Sequence, residues 1–137
     1  MNNPIVRKVV AVVAGLIVAM LVVMLAEGAG HAIFPPPEGL DITKPEDQAR
    51  LMEVIPLGAK IAVVVAWFLG ATAGAATAMV LGKEAMPGWI VGLVLVALSL
   101  FTTQMFPHPL WMMAAAVVLP LAGVLVARRL VASRMAA

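Results

Sequence analysis

The chain of 137 residues contains no cysteine and no tyrosine, only two serines, and charged side chains at just 12% of its positions. Each shortage removes a class of function. Without cysteine there are no disulfides, thiolate metal sites or thiol nucleophiles. Ser99 lies inside an apolar stretch and Ser133 near the chain end, neither with a histidine nearby in sequence. No hydrolytic constellation is therefore present. A glycine-rich phosphate loop is missing as well.

What is present is apolar. Hydrophobic residues make up 64% of the chain, and the mean hydropathy is +1.08. Soluble domains carry about 25% charged residues and about 45–50% apolar ones. A short soluble chain buries the smaller share of its surface, so it could not hide this much apolar area. The solvent for most of the chain is the lipid bilayer, and residues 1–137 read as one integral membrane domain. The net charge of +2 does not point to nucleic acid. Arg7, Lys8, Arg128, Arg129 and Arg134 flank apolar runs, where they set topology and form no phosphate-binding face.

The expected fold class is all-α: a four-helix transmembrane bundle with a short interfacial helix in the first outer loop. The first span is expected at about 5–33. Arg7 and Lys8 before an apolar run mimic a signal peptide, but the run over 9–26 exceeds the roughly 7–15 residues of such a core. A lone strand in lipid would leave its backbone unpaired, so the valines do not argue for a sheet. The second span is expected at about 56–81, opening at Pro56, and the third at about 89–106. The fourth, about 110–130, contains Pro120, which removes one backbone bond and should kink the helix near Ala116. Gly70 and Gly74 form a small-xxx-small surface suited to close helix packing, within the chain or in a homo-oligomer.

The 34–55 segment is the substantially polar part of the chain. Pro35, Pro36 and Pro37 stop the first helix. Thr43 and Glu46 have the spacing of a capping box for a short helix that lies on the membrane or the bundle. This segment is acidic, whereas both chain ends are basic. The charge bias places both termini in the cytoplasm, with the 34–55 segment and the Pro107–Pro109 turn outside.

That topology brings Glu27, His31 and His108 to one membrane face. From Lys8 to Glu27 a helix rises about 28 Å, nearly the roughly 30 Å of the hydrocarbon layer. Glu27 is thus expected near the outer boundary. Glu27 and His31 are one helical turn apart and share a face. A carboxylate that accepts from an imidazole fixes its tautomer, as around metal ligands. If His108 converges on this pair, the three would suit a divalent metal such as zinc or copper. The same residues also suit a hydrogen-bonded tie between the hairpins. A third use is transport or proton coupling through Glu27. Bis-histidine haem fits poorly, since both imidazoles belong to the rim. The ten methionines fall mainly in apolar spans, where methionine fills gaps, and Trp67 and Phe68 read as core or lipid-facing.

Glu27-x-x-x-His31 followed by Phe34, Pro35, Pro36, Pro37, Gly39, Leu40 and Asp41, with Pro107, His108, Pro109 and Trp111 later, resembles a family of small bacterial four-span membrane proteins of unknown function. The resemblance covers nearly the whole length. It implies a four-span topology and a bacterial cytoplasmic (inner) membrane, and it supplies no activity or catalytic residues. The expected function is that of an accessory or interaction protein with a Glu27–His31–His108 cluster at its outer rim. Its rivals are a small transporter or channel-like oligomer using Glu27, and a metal-dependent membrane enzyme.

Overall fold

A computed structural model describes residues 2–35, 37–41 and 43–136. Five helices follow one another: α1 (Pro4–Ile33), α2 (Pro45–Val54), α3 (Leu57–Gly82), α4 (Met86–Met105) and α5 (Leu110–Ala136). Four of them, all but α2, are long and apolar enough to cross a membrane, which makes this a multi-pass membrane protein. The lipid-facing surface is visible as exposed apolar side chains, among them Val13, Ile17 and Leu21 on α1 and Leu93 and Phe101 on α4. In water such a surface would be untenable; against acyl chains it costs nothing.

The helix ends follow from local chemistry. The side chain of Asn3 caps α1 by accepting from the Ile5 N–H at 2.9 Å, and Pro4 occupies the first turn. At the other end the Phe34 N–H closes on Gly30 O at 2.8 Å. Of the proline run expected to stop this helix, Pro35 and Pro37 lie beyond its end, and Pro36 is outside the described residues. Lys83 ends α3 in the left-handed conformation (φ 57°), reversing the chain into α4. Lys8 Nζ lies 3.1 Å from Glu84 Oε1 and pins the start of α1 to this reversal, as an ion pair without the angle of a directed hydrogen bond. The fourth span continues past the expected end at 130, because its basic last turn remains helical.

The expected capping box does not form. Lys44 occupies the cap position of α2 without a side-chain bond. Thr43 turns back instead, its hydroxyl and N–H both donating to Asp41 Oδ1 at 2.6 and 2.9 Å. Asp47, in the first turn of α2, accepts from the Asp41 N–H at 2.9 Å. Aspartate pairs well with the backbone two residues on, and that local bond outcompetes the cap.

In the bundle, α3 is the central helix and packs against α1, α4 and α5; α4 also touches α1 and α5. Small residues permit this. A Cβ on Gly15 would stand 2.7 Å from Gly74 O, and one on Gly74 would stand 2.6 Å from Gly15 O. The Gly70 position is filled by Val23 of α1. The small-residue face of α3 is therefore occupied by α1: of the two uses the sequence allows, close packing within the chain is the one seen, with Gly70 and Gly74 buried.

The helix α5 runs through Pro120 without interruption. Proline cannot supply the N–H that Ala116 O would receive from residue 120. The Ser99 hydroxyl of α4 lies within donating distance of Ala116 O, at 2.9 Å, and of Leu95 O in its own helix, at 2.6 Å, and the site is buried. A serine is thus placed to share its proton, across the helix interface, with the carbonyl that proline leaves without a partner.

Candidate functional site

Glu27 is the only carboxylate in the four long helices. It sits six residues from the end of α1, half-buried, with His31 one turn further on and exposed. The two line one cavity of about 90 Å³, and among the described residues no hydrogen bond or ion pair joins them. Gly30 of α1 and Phe34 just beyond it, Ala59, Ala62 and Val63 of α3, and Leu51 and Ile55 at the end of α2 complete its wall. The amphipathic α2 is the roof: Met52 is buried beside Val64, Trp67, Met112 and Ala116, fixing α2 over the bundle end. An apolar anchor of this size contributes on the order of 1.5–3 kcal/mol when buried.

A second cavity, about 190 Å³, lies on the inward side of the same carboxylate. Glu27 shares it with Trp67 of α3 and with Ser99 and Thr102 of α4. The sequence reads Trp67 as core or lipid-facing and Ser99 as a serine inside an apolar span, and it singles out neither as part of a site. One signal was present: Ser99 and Thr102 are three apart, one helical turn, and so fall on a single face of α4. That this face would meet Glu27 depended on α1 packing beside α4.

His108 is placed differently. Its backbone N–H donates to Phe106 O at 2.8 Å, and its Nδ1 is 2.9 Å from that same oxygen. Because a carbonyl only accepts, Nδ1 is the donor in this contact. The imidazole also packs edge-on against the Phe106 ring, with centroids 6.2 Å apart. It is held by its own turn.

The three-residue centre expected from the sequence is not formed. Among the described residues, no three of the His, Cys, Asp and Glu side chains are grouped to hold a metal ion. Glu27 and His31 line one cavity, and His108 is not part of its wall. The reason lies in helix order. The corner bearing His31 belongs to α1 and that bearing His108 to the α4–α5 turn, and α1 and α5 do not pack together. The cluster of Met52, Trp67 and Met112, with Phe106 against it, occupies the bundle end beside that turn.

The arrangement offers one carboxylate, reached from two cavities, with an imidazole at the outer mouth and hydroxyls at the inner one. That is binding or proton-exchange chemistry. Comparison with protein-family models, with curated proteins and with solved structures yields no match, so no relative supplies a ligand or an activity for this site.

Proposed function

We propose that this chain is a small accessory or interaction protein of the bacterial cytoplasmic membrane that works by holding a small ligand at Glu27. Both termini face the cytoplasm in this reading, following the basic chain ends and the acidic 34–55 segment. Glu27, His31 and the α2 roof then lie at the outer side. The observation that carries the proposal is the placement of the one carboxylate of the long helices on both cavities. An ionisable side chain within a membrane-spanning helix is rare and marks a site by default. Two donors, Glu27 and His31, fall short of the three protein ligands of a catalytic zinc, so the reading is a binding pocket and not a metal centre.

The test is native mass spectrometry of protein released from membranes. Wild-type protein is expected to carry a bound small molecule that is absent from Glu27→Gln. Equal occupancy in the two removes Glu27 from binding. A second reading, transport through Glu27, draws support from the same two cavities, which lie on either side of the carboxylate. It requires flux into liposomes that disappears in Glu27→Gln.

A further inference from the structure

We infer that the inner cavity is a subsite for a monovalent organic cation, an ammonium head whose apolar tail stays in the bilayer. This rests on the reading of Glu27 as the binding group and names the ligand class and further contacts. The charge balance comes first. Among the described residues, Glu27 is the sole charged one in the wall of the inner cavity, with no lysine or arginine opposite it. An anion would be repelled, and a neutral apolar guest would leave the carboxylate unpaired, at a cost.

Donor inventory narrows the choice. The Ser99 proton is engaged by main-chain carbonyls, Leu95 O at 2.6 Å and Ala116 O at 2.9 Å. The Thr102 hydroxyl donates to Leu98 O at 3.0 Å. With their protons committed, both hydroxyls offer only lone pairs to a guest. Carboxylate and hydroxyls together are acceptors, matched to N–H donors of an ammonium group. Magnesium or calcium requires six or more oxygen ligands, which these apolar walls do not provide. The Trp67 indole lines the same cavity, and aromatic surface favours organic cations.

Size and access set the remaining features. A cavity of about 190 Å³ falls below the roughly 300–1,000 Å³ of pockets that enclose whole drug-sized ligands. It takes a head group. Met20 of α1 and Leu98 of α4 line it and are 41% and 43% exposed on the membrane-facing surface. They mark a lateral opening between α1 and α4 through which a tail reaches the acyl chains.

The experiment uses full-length protein in lipid nanodiscs, in a Trp89→Phe/Trp111→Phe background that leaves Trp67 as the only indole. Hexylammonium is titrated beside hexanol and hexanoate while Trp67 emission is followed. A saturable change with hexylammonium alone is expected, weakened at least tenfold in Glu27→Gln and several-fold in Thr102→Val. Thr102→Val keeps the shape and leaves Glu27 in place, so it tests the subsite even if Glu27→Gln fails to fold. Equal responses to hexanol and hexylammonium, or a hexylammonium response unchanged in Glu27→Gln, overturns the inference. Binding lost in His31→Ala but intact in Thr102→Val moves the ligand to the outer cavity and also overturns it. A Glu27-dependent adduct in native mass spectrometry without any hexylammonium response defeats this inference while sparing the broader reading.

Discussion

The bond from Ser99 to Ala116 makes a quantitative claim about how a proline is accommodated in a buried helix. Ala116 O has lost its usual partner because residue 120 is proline, and the Ser99 hydroxyl is 2.9 Å away. Replacing Ser99 by alanine leaves a buried acceptor unpaired, which costs roughly 1–3 kcal/mol in general. Interhelical hydrogen bonds in membranes run lower, about 0.6 kcal/mol on average and up to about 1.7. The buried, proline-orphaned carbonyl belongs at the upper end, so about 1.5 kcal/mol is expected for Ser99→Ala. In Pro120→Ala the backbone N–H returns and Ala116 O no longer depends on serine. The same Ser99→Ala change should then cost about 0.5 kcal/mol, giving a coupling energy of about 1 kcal/mol in a double-mutant cycle. Reversible unfolding in mixed micelles, followed by far-UV circular dichroism, measures all four proteins. If serine removal costs the same with and without the proline, the hydroxyl is not repairing the helix. The idea would then be wrong.

Two further outcomes follow from packing and from charge. A methyl at Gly74 meets Gly15 O and the Ala19 Cβ, both at 2.6 Å, so Gly74→Ala should destabilise by roughly 1–3 kcal/mol. At Gly28 nothing lies within 4 Å of a new Cβ, so Gly28→Ala should gain roughly 0.5–1 kcal/mol; like-signed results in the same unfolding assay would contradict the α1–α3 geometry. The Thr43 hydroxyl, and then the Thr43 N–H, hold the exposed Asp41 carboxyl below the ordinary aspartate value. A depressed carboxyl favours the folded loop above the unfolded aspartate pKa of about 3.9, and that contribution fades as pH falls through the folded value. Carbon-13 titration of the Asp41 carboxyl should show the low midpoint, returning towards the ordinary value in Thr43→Val; an identical midpoint in both would rule out the hydroxyl as the cause.

Much of this architecture was legible in the residues. Hydropathy and length determined four spans, because a bilayer demands runs of about 20 apolar residues and a helix satisfies its own backbone. The short helix at Pro45–Val54 was legible from the Thr43–Glu46 spacing, although the capping box that spacing announces does not form. The adjacency of Glu27 and His31 follows from the 3.6-residue period alone. Local competition was not legible: Asp41 drew Thr43 away from the cap, and only the folded loop decides which of two nearby acceptors wins.

Tertiary structure decided the rest. Parity put His31 and His108 on one side of the membrane, but a shared side is not contact. Which helices touch is set by the fit of small residues, and Gly15 against Gly74 made α3 the centre, beside α1. That choice spent the Gly70/Gly74 surface inside the chain and left α1 and α5 without a shared interface. It also turned Glu27 towards Trp67, Ser99 and Thr102, residues at sequence distances that no periodicity links. A linear chain encodes which residues share a helix face. Only packing, where backbones approach within a methyl's width, chooses which faces meet.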